Sequence, residues 1–265
     1  MEKYDVRFKK KFGQNFLKDT NIVKKIVRCA DISGNSLVIE VGPGGAIMTR
    51  ELASCATSVL AYEIDTDLKD ELSKRLADYH NVSLLFKDFL EADLVNDVSN
   101  FHYDHLYFVS NVPYYITTPI ILKLIDSGLC FEKIVMMVQE EVGDRFSVQP
   151  GSKRYGSISV FLNYFYHVKK EFKVSRKQFI PEPNVDSVIV SFTERKEKLF
   201  VKNFKLFSEI VRDSFQYKRK TLRNNLKKYD FTKVEGVLEK YNFPLDVRAE
   251  NLGVEVFVEI ANVLS

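Results

Sequence analysis

Residues 36–45 read Ser36-Leu37-Val38-Ile39-Glu40-Val41-Gly42-Pro43-Gly44-Gly45. The first six form a near-continuous apolar run, as expected of a parallel strand covered on both faces. The glycine-rich turn after them predicts a sharp strand-to-helix connection, with a helix over roughly 46–54. Upstream, Asp19 or Thr20 is placed to cap a helix whose apolar face is Ile22, Val23, Ile26, Val27 and Ala30. Downstream, 58–64 reads as the next strand, and Leu68, Leu72 and Leu76 recur every fourth residue, marking a helix. Val82–Phe86, 104–109 and 134–138 read as further strands, with a helix beginning at Thr118-Pro119, Pro at its first position. Strand and helix alternate across short turns, which predicts an α/β fold with a doubly wound sheet.

The pattern changes after the loop 151–157. Residues 158–166 and 187–193 read as strands with no obvious helix between them, an antiparallel edge to the sheet. From about 200 the periodicity is purely helical, with Phe204, Phe207, Ile210, Val211 and Phe215 on one face. The switch near Arg195–Lys198 divides the chain into a domain at 1–197 and a small all-helical C-terminal domain at 198–265.

The chain has 265 residues, 45% hydrophobic and 28% charged, so a substantial core is expected. Its start, MEKYDVRFKKKFGQNFL, has no long apolar stretch, and no secretory signal or membrane span is expected. Cys29, Cys55 and Cys130 are scattered, and the four histidines lack metal-ligand spacing. Reduced thiols, a cytoplasmic location and no metal site follow as expectations. The net charge of +3 is unevenly spread: +6 over 1–30, −8 over 31–194, +9 over 195–228 and −4 over 229–265. Two basic blocks flanking an acidic body suggest a polyanion held at specific faces, although helix-face charge explains the second block equally well.

Open α/β sheets bind ligands at strand ends, where strand order reverses. Gly42, Gly44 and Gly45 follow one strand, Glu63 closes the next and Asp88 follows the third. A nicotinamide dinucleotide would want GxGxxG, but Ile47 stands where the third glycine belongs. Glu40, Glu63 and Asp88 suit a ligand with ribose hydroxyls, an adenine amine and positive charge, as in S-adenosylmethionine. Glu63 is then expected to accept from the ribose and Asp88 from the adenine amine, with the glycines letting backbone approach closely. A tight turn alone would account for the glycines; the acids at the next two strand ends favour the ligand.

Ser110-Asn111-Val112-Pro113-Tyr114-Tyr115 ends the strand that follows. An exocyclic adenine amine is a poor nucleophile because its lone pair is delocalised into the ring. The Asn111 side-chain oxygen and the Val112 carbonyl are suited to accept its two protons and localise that lone pair. Pro113 stiffens the bend and holds Val112 extended. Tyr114 is suited to stack on an unstacked base.

These segments together resemble the KsgA family of ribosomal RNA adenine dimethyltransferases. Phe12-Gly13-Gln14-Asn15-Phe16-Leu17 is similar to the family's N-terminal cofactor motif, and EVGPGG at 40–45, Glu63, Asp88 and NVPY at 111–114 follow in the family's order. FIPEPNVDSVIV at 179–190, RKTLRNNL at 219–226 and RAENL at 248–252 resemble its later segments, so the likeness spans essentially the whole chain. The resemblance implies a Rossmann-like class I S-adenosylmethionine-dependent methyltransferase. It implies cofactor contacts at Asn15, Leu17, Gly42, Glu63, Asp88 and Asn111, and target-base contacts at Tyr114 and Phe179. It further implies transfer of two methyls to each of two adjacent adenosines near the 3′ end of 16S rRNA in the small ribosomal subunit, with a role in that subunit's biogenesis. A monomer is expected. Read alone, Phe16 and Leu17 pack the first helix, and Phe179 is a core residue beside a Pro-rich turn. The usual glycine pattern is GPGxG; here Ala46 stands at the last glycine.

Lys218, Arg219, Lys220 and Arg223 belong to a basic stretch, 218–228, in which Leu222 and Leu226 lie four apart. One face of a helix there would pack, while the rest, with Lys9, Lys10 and Lys11, would present cations to RNA phosphates. Three alternatives stay open at this point. The first is a related resistance-type methyltransferase acting on large-subunit RNA, against which the helical tail argues. The second is an assembly factor whose main task is docking. The third is a DNA adenine methyltransferase, since NxPY reports the amine and not the sugar.

Overall fold

The computed structural model describes Phe16, Leu17 and residues 19–265, with only the backbone of Phe16. In chain order the elements are β1 (Phe16–Leu17), α1 (Thr20–Ala30), β2 (Ser36–Val41), α2 (Ile47–Ala53), β3 (Ser58–Tyr62), α3 (Lys69–Arg75), β4 (Val82–Leu85), α4 (Leu94–Val98), β5 (His105–Asn111) and α5 (Thr117–Asp126). They continue with β6 (Lys133–Gln139), α6 (Glu140–Phe146), α7 (Ser157–Phe165), β7 (Tyr166–Val174), β8 (Phe179–Ile180), β9 (Ser187–Glu194), α8 (Phe204–Ser214), α9 (Leu222–Asn225), α10 (Phe231–Lys240) and α11 (Val254–Leu264).

Seven strands form one sheet in the order β4-β3-β2-β5-β6-β9-β7. The pairs from β4 to β6 are parallel, and β9 joins β6 antiparallel. β2, β5 and β6 are buried along nearly their whole length, which is why they read as continuous apolar runs. α1 begins at Asp19, whose carboxylate accepts from the Asn21 N–H at 2.8 Å, and buries Val23, Ile26, Val27 and Ala30.

Strand order reverses between β2 and β5: the chain leaves β2 toward β3 and β4, then returns to lay β5 on the other side. The ladder between them pairs Ser36 with His105 through Ile39 with Phe108. Beyond it the buried Ser110 hydroxyl takes over, donating to the Val41 carbonyl at 2.6 Å and accepting from the Val41 N–H at 3.3 Å. One side chain thus ties together the two strand ends just before Gly42 and Asn111.

The described residues divide into two compact units, those up to 143 with 169–194, and residues 144–168 with 195–265. The second unit has its own core, including Phe161, Phe207, Leu222, Leu226, Leu238 and Phe257. It takes in residues 144–168, which the sequence reading left with the sheet. The reason is α7: the sequence pattern predicts a strand over 158–166, but 157–165 is a helix. The Gly156 N–H bonds the Ser159 hydroxyl at 3.3 Å at its start, and Val160, Phe161 and Tyr164 fall on one buried face. Phe161 and Tyr164 meet Phe207 at ring-centroid distances of 6.0 and 5.1 Å. Burial there outweighs the strand preference of a β-branched and aromatic run. The edge strand begins only at Tyr166.

Two further differences are local. α5 starts at Thr117, so Pro119 is its third residue; its missing N–H still falls in the first turn, where no intrahelical partner exists. The stretch 218–228 is not one helix. Leu222 and Leu226 are fully buried as expected, but only 222–225 is helical. Asn225 stabilises the turn before it, donating to the Ser214 carbonyl at 2.8 Å and accepting from the Tyr217 N–H at 3.1 Å.

Replacing Ser110 by Ala leaves both Val41 main-chain groups without that partner in a buried place, at a cost of about 1–3 kcal/mol. Thermal unfolding of Ser110→Ala is expected to show a midpoint lower by several degrees, and an unchanged midpoint would contradict the role given to this hydroxyl.

Candidate active site

A cleft opens at the C-terminal ends of β2, β3, β4 and β5, where an open α/β sheet holds its ligand. It contains about 1160 Å³ of non-atom space, counting the part open to solvent, which is room for a nucleoside-sized molecule. Gly42 and Gly44 turn the chain out of β2 with φ of +73° and +51°, conformations that glycine adopts freely. The Gly42 N–H bonds the Tyr62 carbonyl at 2.8 Å, so this turn is tied to the end of β3. Ala46 is also left-handed, with φ of +61°. Ala46, at the place of the last glycine expected of GPGxG, thus holds a backbone shape that glycine adopts freely, with a methyl added. Left-handed alanine costs roughly 1 kcal/mol, but the methyl is fully buried and packs with Leu68, Leu72 and Leu76, which offsets it.

Three carboxylates line the cleft. Glu63, 3% exposed, accepts from the Gly44 N–H at 3.3 Å and from the Asp65 N–H at 2.8 Å. These bonds orient it and join the glycine turn to the end of β3. Burial pushes its pKa up, and the two N–H donors pull it partly back. Asp88 accepts from the Leu90 N–H at 2.8 Å, which fixes its carboxylate at the start of a short 3₁₀ turn. Glu40, from β2, is 2% exposed and its Oε2 has no hydrogen-bond partner among the described residues. Burial, with Glu63 nearby adding repulsion, pushes its pKa up to about 8. A buried acid with an orphaned oxygen beside two more carboxylates fits a ligand carrying positive charge and hydroxyl or amine donors. Ile64 and Leu90 give the cleft apolar walls.

The fourth wall is the bend after β5. Asn111 is the last residue of that strand, level with Met137 of β6. Val112 is 1% exposed, and Pro113 is followed by a turn closed by the Ile116 N–H on the Pro113 carbonyl at 3.2 Å. The two tyrosines separate there. The Tyr114 and Ser187 hydroxyls are hydrogen bonded at 2.6 Å, and Ser187 is fully buried at the start of β9. Tyr115 is 61% exposed. Burial pushes the Tyr114 phenol up in pKa, so it stays neutral.

The fold brings Leu17, Gly42, Gly44, Glu63, Asp88, Asn111, Val112, Pro113 and Tyr114 together around this cleft. Asn15 and Lys9–Lys11 lie outside the described residues. Phe179 does not join the cleft lining: β8 pairs antiparallel with β1, Leu17 opposite Phe179, and the Phe179 ring is 1% exposed in the core with Val23, Val27 and Val174. The alternative reading, a core residue beside a Pro-rich turn, is the one the structure places there. Lys218, Arg219, Lys220 and Arg223 are exposed in the helical unit; Arg223 is paired with Glu235 at 3.2 Å. The sequence reading passed over Ser110, Ser187 and Asp97, because each bonds a partner distant in sequence, and over Lys87, which meets Asp97 ten positions on. Among the described residues no group of acidic, histidine and cysteine side chains is arranged for a metal, and no helix is long and apolar enough to cross a membrane.

Glu40 makes stability depend on pH. Its ordinary pKa is 4.5, so between there and about 8 the folded chain holds a proton that the unfolded chain releases. Stability falls as pH rises through that window. Glu40→Gln, which mimics the protonated acid, is expected to match the wild type in thermal midpoint near pH 4.5 and to exceed it by several degrees near pH 8. A difference that stays the same at every pH would exclude a buried, proton-holding Glu40.

A family model described as ribosomal RNA adenine dimethylase matches residues 5–265. The ribosomal RNA small subunit methyltransferase A of Streptococcus gordonii is 42% identical over 273 residues, covering all of this chain and 94% of that protein. The protein of the same name from Latilactobacillus sakei is 42% identical over 276 residues, covering all of this chain and 92% of its own. Among solved structures, a dimethyladenosine transferase from Plasmodium falciparum superposes with a TM-score of 0.77 at 28% identity, over 92% of this chain and 95% of that one. The 23S rRNA methyltransferase ErmE superposes at 0.73 with 26% identity, over 94% and 99%. The sheet is thus that of the class I methyltransferases that use S-adenosylmethionine. With one family's model running along nearly its whole length, and strand ends that converge on a single acidic cleft, the chain belongs to the ribosomal RNA adenine dimethylase family.

Proposed function

We propose that this chain transfers methyl groups from S-adenosylmethionine to the N6 amines of two adjacent adenosines near the 3′ end of 16S rRNA in the small ribosomal subunit, two methyls to each, as a step in that subunit's biogenesis. The observation that carries the reading is the placement of a neutral amide, Asn111, at a stiff bend in the same cleft as Glu40, Glu63 and Asp88. When bound, the cofactor supplies an electrophilic methyl on a sulfonium. Glu63 would accept from its ribose hydroxyls, Asp88 from its adenine amine, and Leu17, Gly42 and Gly44 would shape the walls. Glu40 would offer its orphaned oxygen to the positive end of the ligand.

The Asn111 oxygen and the Val112 carbonyl each accept one proton of the target amine. This turns the nitrogen lone pair out of the purine ring and toward the methyl. The new nitrogen–carbon bond would replace the carbon–sulfur bond, whose electron pair would stay on sulfur, and the surplus proton on nitrogen would leave to water. A neutral acceptor suffices because no proton has to be removed before the transfer. Catalysis is then alignment and preorganised dipoles. Tyr114, its hydroxyl held by Ser187, offers a ring to the unstacked adenine.

In the helical unit the exposed turn Lys218-Arg219-Lys220, with Arg223, supplies phosphate contacts that position RNA without reading its sequence. The relatives named for the small subunit, at 42–43% identity, support that substrate over the large-subunit RNA named for ErmE at 26%.

Three measurements test this reading. Radiolabelled methyl transfer is expected on unmethylated small subunits, mapped to two adjacent adenosines, and not on large subunits; the reverse pattern would overturn the substrate assignment. Asn111→Ala is expected to lose on the order of 100-fold in turnover while still binding cofactor in calorimetry, and wild-type turnover would remove Asn111 from the chemistry. Small-subunit binding is expected to weaken steeply with salt. Changing Lys218, Arg219 and Lys220 together to Ala should flatten that slope by about 2–3; an unaltered slope would show that this turn does not touch RNA.

A further inference from the structure

Asp97 lies on α4, outside the cleft lining, and its side chain is only 10% exposed. Its carboxylate holds two groups at once. Oδ2 accepts from the Tyr62 hydroxyl at 2.9 Å, and the Lys87 ammonium sits 2.8 Å from Oδ1 and 2.6 Å from Oδ2. Tyr62 is the last residue of β3 and is followed directly by Glu63; Lys87 follows β4 and is followed directly by Asp88. Tyr62 and Lys87 both line the cleft.

We infer that Asp97 is a positioning residue that clamps the ends of β3 and β4 together, and so sets the spacing between Glu63 and Asp88 for an adenosine-bearing ligand. The inference rests on the cofactor reading above and deepens it. Backbone pairing between β3 and β4 ends at Tyr62 with Leu85, followed by the Glu63 N–H on the Leu85 carbonyl at 2.9 Å. The residues that carry the acids therefore leave the ladder just where both must face one molecule. A carboxylate bridging the preceding residue on each side replaces the missing ladder bonds. The two arms are rigid in different ways. The Tyr62 ring is 1% exposed and wedged edge-on against Phe89 at 5.1 Å. Burial and the adjacent carboxylate both keep its phenol protonated, hence a donor. Lys87, 38% exposed, would otherwise be a loose cation beside a ligand that carries positive charge; Asp97 draws its ammonium aside and neutralises it.

Two ligands and three variants test this by calorimetry. Wild type is expected to bind S-adenosylmethionine and also S-adenosylhomocysteine, which shares the adenosine and lacks the sulfonium. Asp97→Ala is expected to weaken both by about tenfold, roughly the loss of one charge-assisted bond, and S-adenosylmethionine somewhat more, because Lys87 also loses its partner. Turnover at saturating cofactor should stay within about twofold of wild type, because Asn111 is untouched. Asp97→Asn keeps an acceptor for Tyr62, and Tyr62→Phe keeps the ring; each is expected to lose about threefold for both ligands. These two variants carry the test if Asp97→Ala does not fold. Wild-type affinity for both ligands in Asp97→Asn and Tyr62→Phe, even with a lowered thermal midpoint, would reduce Asp97 to a stabilising residue and overturn the inference. A loss confined to S-adenosylmethionine would also overturn it, since that is the signature of an unshielded Lys87 rather than of displaced acids. Wild type binding neither ligand would remove the cofactor reading itself, and this inference with it.

Discussion

The parting of β2 from β5 is the constraint on which the site depends. Two parallel strands that run side by side as far as Ile39 and Phe108 must send their chains in different directions afterwards. The Ser110 hydroxyl closes the last gap by bonding both main-chain groups of Val41. The residue after Val41 is Gly42 and the residue after Ser110 is Asn111. The glycine turn and the neutral amide are thus neighbours because one hydroxyl ends a parallel ladder. A crevice at a reversal of strand order exists in any doubly wound sheet; what this chain adds is the chemistry hung on its two lips.

Electrostatics then select the ligand. Glu40, Glu63 and Asp88 face one cleft, and burial raises both Glu40 and Glu63 toward the neutral form. A cation that supplies donors is favoured there because its charge would draw these raised pKa values back down and stabilise the ionised acids. The cation that the chain itself places nearby, Lys87, is held against Asp97. Glu63 is fastened by N–H groups from the turn before α2 and from its own chain two residues on, so the acid is also a structural joint. The bend after β5 follows the same logic. Tyr114 is tied down through Ser187, at the start of the antiparallel strand β9, while its neighbour Tyr115 is left in solvent. The two adjacent phenols thus sit in different environments, one tied to the sheet through Ser187 and one in solvent.

The helical unit shows how tertiary packing redirects local preference. Residues 158–165 are rich in strand formers, yet Val160, Phe161 and Tyr164 are buried as one helical face against Phe207. The basic stretch 218–228 keeps Leu222 and Leu226 inward, but Asn225 and Thr221 break it into turn, short helix and turn. Asn225 holds the turn that carries the exposed cations at the Ser214 carbonyl and at both main-chain groups of Tyr217.

By itself the sequence determined the alternation of strand and helix, the helical tail, and the order of glycines, acids and amide along the chain. Those features are local: each rests on a run, a period or a turn residue within about ten positions. It also carried enough joint pattern for the family to be recognised, which the match over 5–265 bears out. Only the tertiary structure decided that residues 158–165 would be a helix in the core of the helical unit, that Phe179 would be buried opposite Leu17, and that Ser110, Ser187 and Asp97 would become joints. Those three side chains bond partners 69, 73 and 35 positions away. No periodicity reports such a pairing, because the energy that selects it is gained only once the sheet has brought the strand ends together.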